Sequence, residues 1–559
     1  MSKKKAKKTM DYILNKDLLE DKSYEGQDDM TLNACINAHG LFDSFQFVLR
    51  LSPEVHRKIR DIPQGIISAN SVSFEQMQAY STYLHETIHW WQHIGSTAGF
   101  IQSLVYPSQV YMSLTELNQF LEKVGPVKSI NKWIQDNPRF HCDETLSITN
   151  TIINNFYDSE FFRLLMRTPE QTKRILESPF FECQGHSFTV MYTHMLSLFN
   201  RTVDLDDDNE LFNGDHIFEL YQLNKRNNVP GYNYQSRVEI PPIGSNAIYE
   251  GQARFSQMQF LAGLSGFQLK MSDFGQNGML DGIYVEAFNF FMKTLSVKDF
   301  PSELNDKLVN LFLLVCDLAI NPGAGFPLKL QEGRNIVKDA DPGIRFTYIS
   351  KVISYDTNYY LSLLKNLDRQ EYFDVTTELC NQLGYDTPET ILKTISNWKD
   401  LSSKIQDLLN EKKTYDYKIL NYPIRVLFSH FISFSEDKLK YPEFFCWPGI
   451  HKTGIDLKEY VADLHNRNQA IFIDRPDKDG IYAAIIPGIP EDKINKMLGN
   501  FYSSNVIFNF TRQWIINSGD FIYENRWLSS KGTIQDYKDF VNRHFKQLFN
   551  ASLDQFKII

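Results

Sequence analysis

The sequence predicts a mainly α-helical protein of the α+β class, with a small sheet and large helical insertions. Three observations lead to this prediction. Most of the chain repeats apolar residues at the helical spacing of three and four. One predicted helix, at 73–95, is apolar or aromatic on nearly all sides. Patterns typical of strands are confined to 45–52 and to the C-terminal part of the chain.

The composition is that of a globular protein. Of the 559 residues, 42% are hydrophobic and 14% are aromatic, whereas disordered chains have few aromatic residues and a high net charge. Lys and Arg number 58 against 68 Asp and Glu, which gives a net charge of -10. Because a nucleic-acid binder presents a basic face, we expect no nucleic-acid partner.

The cellular location is predicted from sequence signals. Lysines crowd residues 3–8, but they are not followed by the apolar segment of a signal peptide. The longest apolar stretch, 308–320, is interrupted by polar residues and is too short to span a bilayer. The six cysteines are scattered and include no CxxC pair, unlike a disulfide framework. We therefore expect a cytoplasmic protein without a membrane partner.

Four regions are expected along the chain. Residues 1–30 form a flexible basic N-terminal segment. Residues 31–330 form the core, in which about 101–240 is a helical insertion. Residues 331–420 are helical, and 421–559 form a C-terminal α+β domain. These boundaries follow from the changes of periodicity and from loop signals.

The first strand is predicted at 45–52. Apolar and more polar residues alternate there, which is typical of a strand with one buried face. The apolar positions are Phe45, Phe47, Leu49 and Leu51.

A helix is predicted from Ser73 to about Ile94. Ser73 and Gln76 have the spacing of a capping box, and Gly95 is suited to end the helix. Between residues 74 and 94 only Glu75 and Glu86 are charged. A helix with so few charges and so many aromatic residues is expected to be buried.

Later helices follow from the same patterns. Ser245 is placed to cap a helix that runs to about Leu261. Helical spacing continues through 280–320, and the loop signals of 321–327 end it. It resumes between about 345 and 412.

The C-terminal part contains patterns of strands. The apolar segments 470–474 and 481–486 flank a polar loop, which predicts a β-hairpin. The apolar run at 505–510 is interpreted as a further strand, followed by helices to the end of the chain.

His85, Glu86 and His89 are the chemically informative residues of the 73–95 helix. Two histidines at i and i+4 lie about 40° apart around the helix and one turn apart along it, so they can bind one metal ion. Glu86 is too close along the helix to join them as a ligand, but it can reach a metal-bound water. The spacing predicts two metal ligands and a general base.

The sequence HETIH at 85–89 resembles the HExxH motif of the zincin metallopeptidases. The resemblance covers this helix, the preceding strand and one later helix. It implies a zincin-like core at 31–330, Zn²⁺ as the cofactor, and hydrolysis of peptide bonds with Glu86 as the base. In zincins an edge strand before this helix pairs with the peptide substrate, and 45–52 occupies that place in order.

A third protein ligand is required, because catalytic zinc usually binds three side chains and a water. Position 92 is Gln and position 95 is Gly, so the longer metzincin motif HExxHxxGxxH is absent. His93 lies one turn past His89, too far along the helix to complete the site. We expect His93 to be a core histidine or to support the ligands.

The gluzincin subset of zincins takes a glutamate from a later helix. The segment NAIYEGQAR at 246–254 resembles that helix and implies Glu250 as the third ligand. The small residues Gly251 and Ala253 are expected to let this helix pack closely on the HExxH helix. The alternative is an exposed Glu250 paired with Arg254 at i+4.

Two other acidic residues are candidates for the third ligand. Glu286 and Asp317 each lie within an otherwise apolar helical segment, which is unusual for a carboxylate.

The predicted function is that of a zinc metalloprotease acting on a protein or peptide substrate. The size of the insertion and of the C-terminal region favours a selective protease, or one gated by a regulatory protein partner, over a digestive one. The alternative is a non-catalytic zincin-like interaction protein whose metal is structural or absent. A site closed by four protein ligands is structural, whereas a site with an open position is catalytic.

Other patterns are weaker. The acidic segment 204–215 matches a calcium-binding EF-hand loop at some positions, and an acidic surface loop is its alternative. The segment 184–189, QGHSFT, begins like a serine-hydrolase motif but ends in Thr189. The ExxH of a di-iron bundle occurs once, where two copies are needed. Four residues have spacings that fit no common structural zinc site: His141, Cys142, Cys183 and His186.

Overall fold

Helices make up most of the chain, as the sequence predicts, and they surround a small mixed sheet. In the computed structural model the described residues are 12–19, 39–60, 62, 72–137, 144–205, 211, 215–323, 325, 328, 336–453, 459–475, 480–523 and 532–559. None of the described helices has both the length and the apolar character needed to cross a membrane.

The helices before residue 330 hold the predicted HExxH segment and its neighbours. They are α1 (Pro53–Ile59), α2 (Phe74–Gly95), α3 (Thr97–Ser103), α4 (Val105–Tyr111), α5 (Leu114–Lys123), α6 (Ile130–Asp136), α7 (Glu144–Arg167), α8 (Lys173–Leu176), α9 (Gln184–Val203), α10 (Asp215–Arg226), α11 (Ser245–Leu264), α12 (Met271–Gln276), α13 (Ile283–Thr294) and α14 (Lys307–Ala319).

The helices after residue 330 include the long α25, which packs beside the sheet. They are α15 (Ile336–Ala340), α16 (Pro342–Tyr355), α17 (Thr357–Leu363), α18 (Arg369–Leu383), α19 (Pro388–Leu401), α20 (Ser403–Thr414), α21 (Tyr422–Lys440), α22 (Pro442–Cys446), α23 (Pro448–His451), α24 (Glu459–Arg467), α25 (Glu491–Ile516) and α26 (Ile534–Phe549).

Among the described residues, four short strands form the main sheet in the order β1-β2-β4-β5. β1 and β2 are antiparallel, β2 and β4 are parallel, and β4 and β5 are antiparallel. A separate parallel pair joins β3 and β6. The strands are β1 (Gly40–Asp43), β2 (Val48–Leu51), β3 (Val127–Lys128), β4 (Phe472–Ile473), β5 (Tyr482–Ala483) and β6 (Lys557–Ile558).

The strand predicted at 45–52 is wrong in two respects. Only Val48–Leu51 form a strand, β2, and this strand is buried on both faces rather than one. β2 also lies inside the sheet, and the edge strand of the described sheet is β1. Phe45 and Phe47 lie in the turn between the two strands, where Phe47 has a positive φ of 58°. The apolar residues therefore alternate through a turn as well as a strand, and the alternation alone does not show where the strand begins.

The prediction of strands in the C-terminal part of the chain is confirmed for the hairpin and wrong for 505–510. β4 and β5 form the expected hairpin, with shorter pairing than the sequence indicated. The strand predicted at 505–510 is wrong, because these residues lie within helix α25. A short apolar run does not distinguish a buried strand from a buried helix. Val506 and Phe510, four residues apart, are both buried on this helix.

Helix α2 lies at the centre of the fold and has the boundaries that the sequence predicts. Ser73 and Gln76 form both hydrogen bonds of the capping box. The helix ends at Gly95, where a Cβ would lie 2.2 Å from the ring of Phe434 in α21, so only glycine allows this approach. α2 is buried along almost its whole length and packs against α11, α1, α21 and β1.

Helix α11 crosses α2 and carries the EGxA segment. Two details differ from the expectation. The helix begins at Ser245, but the serine does not cap it and instead pairs with the side chain of Gln102. Gly251 does not face α2, because a Cβ there would meet Phe312 of α14 at 3.2 Å and Ala287 of α13 at 3.5 Å. The glycine therefore allows close packing on α13 and α14.

The described residues of the N-terminal segment pack on the core. Leu14 and Leu18 are buried, and the backbone N–H of Asn15 donates to the side chain of Gln78 in α2 at 2.9 Å. The predicted boundaries of the regions, including the flexible segment 1–30, stay predictions.

Candidate metal centre

The structure brings together His85, His89 and Glu250. α2 carries the two histidines on adjacent turns, and α11 crosses it at Glu250. The Nε2 atoms of His85 and His89 are 3.1 Å apart. Oε2 of Glu250 is 3.3 Å from Nε2 of His85 and 3.2 Å from Nε2 of His89. Among the described residues this is the one group of three metal-ligating side chains whose ligand atoms lie so close together.

These three distances fit a metal ion. Zinc bonds of 2.0–2.1 Å at tetrahedral angles place ligand atoms about 3.3 Å apart. The side chain of Glu250 is 29% exposed, whereas those of His85 and His89 are 6% and 9% exposed. The cluster is thus buried on the side of α2 and reaches solvent on the side of Glu250. No fourth His, Cys, Asp or Glu of the described chain joins it, so the described residues supply three ligands.

Gln92 fixes which nitrogen of His89 faces the cluster. The amide nitrogen of Gln92 donates to the backbone oxygen of Tyr249 and to the side chain of Gln252. Its Oε1 is therefore the atom 2.8 Å from Nδ1 of His89 and accepts a hydrogen bond from it. With the proton on Nδ1, neutral His89 presents the lone pair of Nε2 to the cluster, as a metal ligand requires.

The negative charge of Glu250 favours a positive charge within the cluster. Burial opposes a charge on His89, but the carboxylate of Glu250 outweighs it and raises the pKa of His89 to about 9. Burial lowers the pKa of His85 to about 4. Burial also opposes ionisation of Glu250, yet the adjacent imidazoles hold its pKa well below the usual range. A carboxylate and two imidazole lone pairs at this spacing are the donor set of a cation site.

Glu86 lies beside the edge strand β1. A Cβ on Gly40 would come within 2.5 Å of Oε1 of Glu86, so the glycine allows the carboxyl group to sit against the strand. The backbone of Phe42 hydrogen-bonds the same carboxyl group. Burial, together with the charge of Glu250, raises the pKa of Glu86 to about 8, although the charges of His89 and Arg254 oppose this rise.

The other candidates for the third ligand lie elsewhere. Glu286 is exposed on α13. Asp317 is buried in α14, where it pairs with Nζ of Lys438 at 2.6 Å and accepts a hydrogen bond from Tyr372 at 2.6 Å. The apolar context of Asp317 thus reflects a buried ion pair.

His93 is a core histidine, one of the two roles expected for it. Its ring stacks on Phe42 at 5.4 Å and meets the ring of Tyr249 edge-on at 5.4 Å. Burial holds its pKa well below the usual range.

The weaker patterns of the sequence do not assemble into further sites among the described residues. Ser187 lies in the first turn of α9 and donates to the backbone oxygen of Asp158, so no strand-to-helix elbow presents it. His186 pairs with the carboxylate of Asp158 at 3.0 Å, and the thiol of Cys183 faces the hydroxyl of Tyr221 at 4.0 Å. His141, Cys142 and most of 204–215 lie outside the described residues.

Sequence reasoning missed three residues around the centre. Gln92 follows His89 by three positions, a spacing that places it one turn along the helix. The sequence suggested Arg254 only as a partner of Glu250, and it gave no signal for Tyr284. The guanidinium of Arg254 lies over the Tyr284 ring, and that ring lies beside the ring of His85. No sequence pattern indicates these contacts, because α13 contributes Tyr284 from a distant part of the chain.

In comparisons with known proteins, no family model, no curated sequence and no solved structure matches this chain.

Proposed function

We propose that the protein is a zinc metallopeptidase of the gluzincin type. His85, His89 and Glu250 are its ligands, and Glu86 is its general base. The observation that supports this most directly is the approach of the three ligand atoms to 3.1–3.3 Å of one another across two helices. One open position on the solvent side favours a catalytic site over a structural one.

The donor set favours zinc. Two imidazole nitrogens and one carboxylate oxygen form a common ligand set of catalytic Zn²⁺. Magnesium and calcium prefer sites made of oxygen atoms alone. Other transition metals bind imidazole as well, so the metal content of the purified protein decides the identity.

The reaction assigned to the site is hydrolysis of a peptide bond. Zinc, when bound, polarises the substrate carbonyl and makes its bound water more acidic. Glu86 takes the proton of the attacking water and delivers it to the nitrogen of the leaving amine. The contacts of its carboxyl group with Gly40 and Phe42 hold the base in position for both transfers.

Strand β1 offers a place for the substrate backbone. β1 pairs with β2 on one side, and on its other side the described residues contribute no further strand. An extended peptide can add to such an edge through main-chain hydrogen bonds. Because Glu86 contacts this strand, a peptide bound there would present a backbone amide near the base. In this proposal β1, and not the segment 45–52, is the edge strand that pairs with the substrate.

Metal content and hydrolysis together test the proposal. The purified protein is expected to contain about one zinc per chain, from one site, and to cleave members of a mixed peptide library in a chelator-sensitive way. His89→Ala and Glu250→Ala should each lose the zinc and the cleavage. Glu286→Ala, which changes an exposed carboxylate, is the matched control and should retain both.

Two results would contradict the proposal. Full zinc content in His89→Ala and Glu250→Ala would place the metal elsewhere. One zinc per chain without cleavage of any library peptide would favour the non-catalytic interaction protein. The predicted substrate class, regulatory partner and cytoplasmic location stay predictions.

A further inference from the structure

Arg254 lies one turn after Glu250 on α11, and the two residues are not paired. Both carboxylate contacts of Glu250 go to the histidines. The Nη1 group of Arg254 donates instead to the side-chain oxygen of Gln257 at 2.8 Å. Its guanidinium forms no ion pair with a carboxylate of the described residues, and its Nε is buried without a hydrogen-bond partner there. The cation therefore has no direct ion-pair partner within the described part of the chain.

The guanidinium of Arg254 lies close to the proposed metal centre. The guanidinium carbon lies 3.9 Å from the centre of the Tyr284 ring. The same ring lies 6.0 Å from that of His85, so Tyr284 links the cation to the ligand cluster.

Arg254 is also on the open side of the centre. The side chains of Arg254 and Tyr284 are partly exposed, whereas His85 and His89 are buried. The glycine before α13, Gly282, is exposed as well. Because Glu250 and Arg254 are one turn apart on α11 and both are partly exposed, a ligand that approaches the cluster beside Glu250 comes near Arg254.

An unpaired arginine at this place calls for an anion. Arginine stays charged at all physiological pH values, and a buried N–H group without a hydrogen-bond partner, as at Nε of Arg254, is unfavourable. Its planar fork matches a carboxylate, which it binds through two parallel hydrogen bonds. Stacking on Tyr284 holds the guanidinium plane in a fixed orientation, which limits the entropy lost when an anion binds.

We propose that Arg254 binds a carboxylate of the substrate, so that the enzyme selects peptides with a negative charge next to the cleaved bond. This inference rests on the proposed function, because the neighbouring zinc site supplies the reaction. The carboxylate belongs either to an Asp or Glu side chain or to the C-terminus of the peptide.

A binding experiment tests Arg254 without requiring turnover. The probes are succinic acid monohydroxamate, which joins a metal-binding hydroxamate to a carboxylate, and its uncharged carboxamide analogue. The zinc-loaded wild type should bind the acid at least about tenfold more tightly than the amide, as expected for one charge-assisted carboxylate–arginine pair. Calorimetry on both probes gives the two dissociation constants.

Three variants accompany the wild type. Arg254→Gln should lose the preference for the acid while its affinity for the amide stays the same. Arg254→Lys keeps the charge without the fork and should retain only part of the preference. Arg226→Gln changes an exposed arginine of α10 and should behave as wild type.

The outcomes separate the two proposals. If both probes bind all variants and Arg254→Gln still prefers the acid, the inference about Arg254 is wrong and the metal site stands. An equal loss of affinity for acid and amide in Arg254→Gln also contradicts the inference. If neither probe binds the zinc-loaded wild type, the proposed function fails and the inference fails with it.

A peptide panel then identifies the source of the carboxylate. One pair of cleaved peptides differs only in a C-terminal acid or amide, and a second pair differs only in Glu or Gln beside the cleaved bond. In the pair that carries the recognised group, Arg254→Gln should lower kcat/KM by at least about tenfold for the charged member alone. An equal decrease for all four peptides would contradict selection of a carboxylate.

Discussion

Nδ1 of His89 donates a hydrogen bond of 2.8 Å to Oε1 of Gln92, and the amide nitrogen of Gln92 in turn holds α11 at Tyr249 and Gln252. One side chain thus orients a proposed ligand on α2 and ties α2 to the helix that carries Glu250. The geometry of the proposed metal site depends on this link as much as on the ligands themselves.

Gln92→Leu is expected to weaken zinc binding by about 10- to 100-fold, the usual effect of losing a partner that orients a metal-ligating histidine. The variant also leaves two buried acceptors without their donor, so thermal unfolding must be measured alongside zinc affinity. Gln92→Glu keeps an acceptor for His89 and should bind zinc more tightly than Gln92→Leu. Equal zinc affinity in all three proteins would show that Gln92 does not orient His89.

Glu86→Gln should retain zinc and the fold but lose hydrolysis. The amide keeps the shape of the carboxyl group but does not accept a proton from water, and loss of a general base lowers the rate by about 10²-fold or more. Zinc content and kcat on a peptide that the wild type cleaves are the measurements. Undiminished turnover would remove Glu86 from the mechanism.

The sequence was sufficient where local chemistry decides the structure. The capping box at Ser73, the helical spacing of His85 and His89, and the nearly uncharged surface of α2 all predict a buried helix with two histidines on adjacent turns. These features depend on residues that are close together in the sequence, so local spacing and composition are enough to predict them.

The remaining features depend on contacts between distant segments. The contact of Glu250 with His85 joins residues 165 positions apart in sequence. Part of the expected reason for it was wrong, since Gly251 faces α13 and α14. The edge position of β1 depends on β2 pairing with β4 from the C-terminal hairpin. The pairing of β2 with β4 has no signature in the local sequence, and Glu250 was indicated only by the resemblance of the segment at 246–254 to a known ligand-bearing helix.

Gly40→Ala is expected to impair catalysis through Glu86. The new Cβ would come within 2.5 Å of Oε1 of Glu86, so the carboxyl group must shift. A displacement of about 1 Å at a reacting group lowers the rate by as much as 10²-fold. Zinc content should stay at the wild-type level, because Gly40 does not contact the ligand atoms.

A second glycine provides the control for this prediction. Gly499 lies in α25, and a Cβ there would meet no other atom within 4 Å. Gly499→Ala should keep full activity and be slightly more stable, by about 0.5–1 kcal/mol. If Gly40→Ala turned over the peptide as fast as Gly499→Ala, the contact between β1 and Glu86 would have no part in catalysis.

A buried carboxylate on α7, Glu160, is expected to contribute to the loss of stability in acid. Glu160 of α7 is 6% exposed and pairs with Arg163 at 2.9 Å and with Arg512 of α25 at 2.7 Å. Burial opposes its ionisation, but the charges of Arg512 and Arg163 outweigh burial and lower its pKa to about 2. The pair with Arg512 joins two long helices, so it contributes to their packing.

The stabilisation from Glu160 should be lost as the pH falls. Its folded pKa of about 2 lies below its ordinary value of 4.5, so the contribution is complete above pH 4.5, where it is about 3 kcal/mol, and declines as the pH falls toward 2. Glu160→Gln should therefore be less stable than the wild type by a margin that narrows by about 2 kcal/mol between pH 7 and pH 3. Denaturant unfolding of both proteins at the two pH values measures this margin, with the exposed Glu122→Gln as control. A margin that is the same at both pH values would show that the two arginines do not stabilise the charged form of Glu160.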